Sequence, residues 1–187
     1  MPAGGSAAAL AGALAAALGQ MVITLSAGKK DLLQFNAQQK AALQAFMEAQ
    51  QVFTQLMVDD QAAFASLMAA RRLPEQDPDR CSAHEAALLE CIRVPQALAA
   101  AGLKVLETCD QAVEISSPPL LPDLAACADL SMAAVRTGVH LVKSNSQELS
   151  DPVKRAAIET VVTHLLAQAI ARIQHLYPRI CKTDPQA

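Results

Sequence analysis

No charged residue stands between Met1 and Gly28, and the stretch Ala7 to Ala27 is almost wholly Ala, Leu, Gly, Val and Ile. Coiled into a helix, it has no polar face and has to be buried. Its length would also suit a membrane span. Gln20, Thr24 and Ser26 interrupt it, however, and alanine drives insertion only weakly. A secretory leader would carry positive charge ahead of its apolar core, and residues 1–6 hold none. The segment therefore reads as an internal helix of a soluble bundle. It is preceded by Pro2-Ala3-Gly4-Gly5-Ser6, where the glycines permit close backbone approach and Ser6 is the expected N-cap. A loop of this kind aims free amides at whatever lies before the helix.

The rest of the chain fits the same class. Aromatic residues make up 3% of the 187, Trp is absent and only seven residues are Gly, which favours packed helices over sheets. One domain, residues 1–187, is expected at this length. Charged residues are 18% against a usual share of roughly 25%, so part of the surface is expected to close against a second copy of the chain. A net charge of -3 gives no basis for nucleic-acid binding. The five cysteines are odd in number and lack zinc spacing, as expected of reduced core thiols in the cytoplasm.

Five helices can be read. The first covers about Ala7–Leu25, and the second runs from about Asn36 to Arg72, where Leu73-Pro74 stops it. Ser82-Ala83-His84-Glu85 has the form of a capping box, starting a third helix that kinks or restarts at Val94-Pro95 and reaches about Ile115. Pro122 suits the first position of a fourth helix, extending to about Lys143. Ser150-Asp151-Pro152 starts the fifth, which ends near Tyr177-Pro178 before a frayed tail from Lys182. The fold class that follows is an all-α bundle.

Among the titratable residues, Asp60 has Leu56, Met57, Ala63, Phe64 and Leu67 as helical neighbours, so its spacing puts it on the apolar stripe. An acid packed among such groups has a raised pKa suited to proton transfer. The other reading is a structural ion-pair partner. Asp59 projects about 100° away, toward solvent. Asp123, behind Pro122, complements a helix dipole by its position alone. Lys29 and Lys30 form either a solvated turn or a holder for an anion. Arg71-Arg72 lies at the surface, where it would suit a ligand with several carboxylates. His164 and His175 share a helix face without a third ligand, so no metal is expected. Nucleophile elbows and phosphate-binding glycine patterns are absent.

Taken in order, these features resemble the formiminotransferase-cyclodeaminase family. Gly4-Gly5-Ser6 before Ala9 to Leu14 matches the family's glycine-serine opening, and Gly28-Lys29-Lys30 its glycine-lysine-lysine. Asp60-Gln61-Ala62-Ala63-Phe64 looks like its Asp-x-x-Ala-Phe, followed by Leu73-Pro74. Val94-Pro95 falls where the family breaks its third helix. Asp123 and Asn145 match the acid after its Gly-Asn-Pro segment and the last Asn of its Asn-Val-x-x-Asn.

The resemblance implies a helical homodimer acting on tetrahydrofolate one-carbon units without a permanently bound cofactor. The reaction is either closure of 5-formiminotetrahydrofolate with loss of ammonia or hydrolysis of the methenyl ring. It also implies Asp60 and Asp123 in proton transfer, Lys30 in electrostatic stabilisation, and Gly4, Gly5, Ser6, Lys29 and Asn145 at the substrate. The departures are Ser116-Ser117-Pro118 in place of Gly-Asn-Pro, Pro122 for the serine before the acid, and Leu141 for the first Asn. They leave open a non-catalytic dimer of the same fold that serves as a binding or scaffold protein. Gly12 and Gly19, seven apart on one face of the first helix, are the expected close-approach positions of the dimer contact.

Overall fold

The structure, a computed structural model, describes residues 4–181; the expectations at Pro2, Ala3 and the tail from Lys182 lie outside it. The five helices are α1 (Gly4–Ser26), α2 (Asn36–Arg71), α3 (Arg80–Ala112), α4 (Leu121–Ser146) and α5 (Pro152–Cys181). They run alternately up and down. α1 packs between α2 and α4, α3 closes the bundle against α2 and α4, and α5 lies along α3 and α4. Three helical segments, Gly4–Ser26, Arg80–Ile115 and Pro152–Cys181, are long and apolar enough to cross a membrane by length and composition. In the first two, half of the apolar window is buried inside the bundle.

α1 meets its obligation to be buried through its glycines. Gly12 sits on the ring of Phe53 and Gly19 on the ring of Phe46, both rings being fully buried on α2. A Cβ at Gly19 would lie 2.5 Å from the Phe46 ring, and one at Gly12 would overlap Phe53 outright. This corrects the expectation that Gly12 and Gly19 form the contact between two copies. The small face is used within the chain, and the face left outside carries Leu10, Leu14, Met21 and Leu25, between 37% and 53% exposed.

Helix boundaries depart from the sequence reading where local chemistry misleads. Gly4, Gly5 and Ser6 belong to α1, so no glycine loop precedes it among the described residues and Ser6 is not its N-cap. A 3₁₀ turn at Lys30–Phe35 leads into α2. The capping box at Ser82 does not form: α3 starts at Arg80, and the Ser82 hydroxyl donates to the Asp79 carbonyl. α3 passes through Pro95 unbroken, and α5 passes through Pro178 to Cys181. The start of α5 is as read, with Asp151 accepting from the amides of Val153 and Lys154 at 2.8 and 3.2 Å.

α5 buries only Val162, Ala169 and Leu176 completely, and much of its attachment is polar. Asp110 of α3, its side chain 10% exposed, receives His175 Nδ1 at 2.8 Å, Arg172 at 3.3 Å and Arg179 at 2.5 Å. His175 is thus a hydrogen-bond partner of Asp110. Cys91, Cys109 and Cys127 are buried free thiols, as expected of core residues, while Cys81 and Cys181 are exposed. Since Gly12 has a ring against it and no room, Gly12→Leu should destabilise the folded chain itself by about 1–3 kcal/mol. A thermal unfolding midpoint unchanged from that of the parent protein would contradict the packing of α1 on Phe53.

Candidate functional site

The expected site residues gather at the two ends of α1, not in one place. At its amino end, Gly5 presents bare backbone to the Asp60 carboxylate of α2; a Cβ there would collide with Oδ1. Ser6 is buried beside it, and its amide donates to Asp60 Oδ2 at 2.7 Å. The Ser6 hydroxyl lies 2.8 Å from the same oxygen and 3.3 Å from the Met57 carbonyl, so its single proton goes to the nearer Oδ2. One of the unsatisfied amides of the first helical turn thus meets a carboxylate, where the helix dipole favours negative charge.

Asp60 is half-buried, not enclosed in the apolar pocket that its spacing predicts. Leu56, Ala63 and Leu67 are buried beneath it, but Phe64 is 44% exposed. Oδ1 makes no hydrogen bond among the described residues and is not buried. One oxygen is therefore fixed and the other is free to exchange a proton or meet a ligand. Asp59, as its direction predicts, faces outward, accepting from Gln55 at 2.8 Å. Gly4 lies nearest Leu141 of α4, at the position where the family pattern carries an Asn.

The other end holds the lysines. Lys29 is exposed, and its ammonium donates to Ser117 Oγ at 2.5 Å. The Ser117 amide donates to Ser26 Oγ at 2.8 Å, and the Ser26 hydroxyl donates to the Val22 carbonyl at 2.7 Å. This chain of bonds ties the end of α1 to the start of α4, and sequence reasoning missed both serines in it. Lys30 opens the 3₁₀ turn and is exposed. Asp123 occupies the first turn of α4, half-buried, as its dipole position predicts. With 1.5 Å of rise per residue, Ser6 and Ser26 stand about 30 Å apart. Within one chain, Lys29, Lys30 and Asp123 do not share a cleft with Asp60.

Asn145, expected at the substrate, has a structural task. Pro95 has no N–H to give to the carbonyl four residues before it, that of Cys91. Asn145 Nδ2 donates to that carbonyl at 2.6 Å, which lets α3 continue through the proline. Burial, followed by the nearby Asp60 carboxylate, pushes the Cys91 thiol up from its ordinary range. Beyond Asp60 along α2, a cavity of about 450 Å³ is lined by Arg71, Arg80, His84, Glu148 and Lys154, among others. Arg71 is engaged there by Glu148, with contacts of 2.8 and 2.6 Å, and is not held ready for a ligand. Among the described residues no group of three or more His, Cys, Asp or Glu is placed to hold a metal ion.

The family model described as formiminotransferase-cyclodeaminase matches residues 1–164. Methenyltetrahydrofolate cyclohydrolase of Methylorubrum extorquens is 27% identical over 183 residues, 96% of this chain and 88% of that protein. Formimidoyltransferase-cyclodeaminase of Rattus norvegicus is 31% identical over 180 residues, 90% of this chain. The chain spans only 32% of that longer protein. The crystal structure of formiminotetrahydrofolate cyclodeaminase from Thermotoga maritima is similar with a TM-score of 0.81 and 25% identity, over 97% of this chain and 87% of that one.

The Asn145 contact can be tested apart from any activity. Asn145→Ala should cost about 1–3 kcal/mol, because it leaves the Cys91 carbonyl without a donor. In a Pro95→Ala background the restored backbone N–H takes over, so the same substitution should cost much less. Equal losses in both backgrounds, read by urea unfolding, would show that Asn145 acts elsewhere.

Proposed function

This chain belongs to the formiminotransferase-cyclodeaminase family, and we propose that it is a folate one-carbon enzyme. It closes formiminotetrahydrofolate with loss of ammonia, or opens the methenyl ring with water. The observation that carries this reading is Asp60 seated on Gly5 and Ser6 at the amino end of α1, one oxygen held and the other open.

Both reactions exchange one substituent on a single carbon held between nitrogens, through a tetrahedral adduct. In ring closure a folate nitrogen adds to the formimino carbon, loses its proton, and ammonia leaves carrying one more. In hydrolysis water adds to the methenyl carbon and loses a proton; one C–N bond then breaks as its nitrogen is protonated, and the adduct's hydroxyl gives up its proton to become the formyl oxygen. Each needs a group that first takes a proton and then returns one on the same face. In this reading Asp60 Oδ1 does so, and the Ser6 contacts to Oδ2 support it by holding the carboxylate. Gly4 and Gly5 leave room for the substrate to approach the helix backbone. Asp123 is the second acid, and Lys29 and Lys30 offset negative charge on the substrate. The enzyme works as a homodimer in the cytoplasm, with a folate as its small-molecule ligand and no permanently bound cofactor.

Formation and hydrolysis of methenyltetrahydrofolate change its near-ultraviolet absorbance, so both reactions can be followed directly. Absence of turnover in either assay at high protein concentration would overturn the enzymatic reading. Folate binding without turnover would then favour the binding protein that Leu141 and Pro122 leave open. In an active protein, Asp60→Asn should lower the rate about 10²- to 10⁴-fold. Asp59→Asn, on the outward face, should change it little. Equal activity of the two variants removes Asp60 from the mechanism.

A further inference from the structure

The outward face of α1 and the separation of the two half-sites admit one common explanation. Leu10, Leu14, Met21 and Leu25 are 48%, 53%, 37% and 53% exposed on a helix without a single charge. These side chains recur at helical spacing on one side, opposite the glycines that rest on Phe46 and Phe53. A large apolar stripe of this kind is an interaction surface. Its two ends differ in charge: the exposed Lys29 and Lys30 stand beyond one, and Asp59 and Asp60 flank the other. Asp31 and Asp123 lie at the lysine end and reduce that difference without removing it, since no cation of α1 or the turn after it stands at the aspartate end.

Two copies of α1 laid face to face by a two-fold axis perpendicular to the helix run antiparallel. With the axis between Ala17 and Leu18, Leu10 faces the partner's Leu25 and Leu14 faces the partner's Met21. The same register places Ser6 opposite the partner's Lys29. Lysine end meets aspartate end twice, so the charges complement one another at both ends of the stripe.

Resting on the proposed function, we propose that the active site is composite. Asp60 with Gly4, Gly5 and Ser6 of one copy is completed by Lys29, Lys30 and Asp123 of the other, across a dimer seam formed by the outward stripe of α1. Each dimer carries two such sites, and neither copy holds a whole one. The about 30 Å between the half-sites of one chain is thereby removed without any change in its fold.

Complementation tests this directly. Asp60→Asn and Lys30→Ala should each be nearly inactive alone. After the two are mixed and allowed to exchange subunits, half of the dimers are mixed, and each of these has one intact and one doubly altered site. Activity should therefore return to about one quarter of the unmodified protein's. No recovery, with subunit exchange shown and the unmodified protein active, overturns the composite site.

Cross-linking tests the register without any catalysis, in a background with the exposed Cys81 and Cys181 replaced by Ser. The Leu10→Cys, Leu25→Cys protein should form disulfide-linked dimers under copper-phenanthroline oxidation. Leu10→Cys alone should not, because in this register its sulfur faces Leu25. Cross-linking of the single variant as readily as the double, or of neither, overturns the proposal. If the protein has no turnover at all, it is the function that fails, and the cross-linking result still decides the seam. Leu14→Glu should give a monomeric mass by light scattering with helical circular dichroism unchanged.

Discussion

A helix that carries no charge has to be covered by neighbours, and the bundle is organised around covering two sides of α1. Two neighbours do so. α2 supplies Phe46 and Phe53, whose rings fill the ground left by Gly19 and Gly12. α4 covers the adjoining side, where Ala8, Ala15 and Val22 are buried. Each buried ring withdraws a large apolar area from water, but only because no Cβ stands in its way. α1 is thus held closely enough for its first turn to touch Asp60, and the candidate carboxylate depends on packing that begins two helical turns away.

Prolines impose the second constraint, and the structure meets it in a way that links α3 to α4. A proline inside a helix leaves a carbonyl unbonded and ordinarily ends or bends the element. Asn145 takes up the carbonyl that Pro95 abandons. The same α3–α4 seam is tight elsewhere: a Cβ on Gly138 would lie 2.5 Å from the Pro95 carbonyl oxygen, and Gly102 faces the Val135 side chain. A residue that the family pattern suggests for the substrate therefore satisfies the backbone of a neighbouring helix.

The number, order and kind of the helices are legible in the sequence because proline, charge-free runs and the spacing of apolar residues act locally. Asp151 is recognisable as a cap for the same reason. Ser82 misleads because a capping box describes which side chains could reach the backbone, not where the helix starts, and α3 begins two residues earlier. Pro178 misleads because it removes a single backbone bond, and Arg179 beside it is held by Asp110. At the site, the residue types are legible from their order along the chain. Their places are not, since only the antiparallel packing of α1 on α2 and α4 decides that Asp60 and Lys29 stand at opposite ends. Ser26 and Ser117 give no local signal, because their contact spans 91 positions in sequence.

The departures from the family pattern are not equivalent once they are placed in space. Ser117 replaces an Asn but keeps a polar atom where it is needed, because its Oγ accepts the Lys29 ammonium and its amide reaches Ser26. With Lys29 anchored in this way, Lys30 is the cation left free to move toward a ligand. Pro122 falls in the opening turn of α4, where a missing N–H costs nothing that the helix would have used. Leu141 is different. It stands next to Gly4 at the amino end of α1 and offers an apolar surface where an amide would offer hydrogen bonds. The lysine end thus retains its polar logic while the aspartate end loses one polar group. A change of substrate preference in this chain would originate at Leu141, because there a substrate polar group would have to find water or another part of the folate instead.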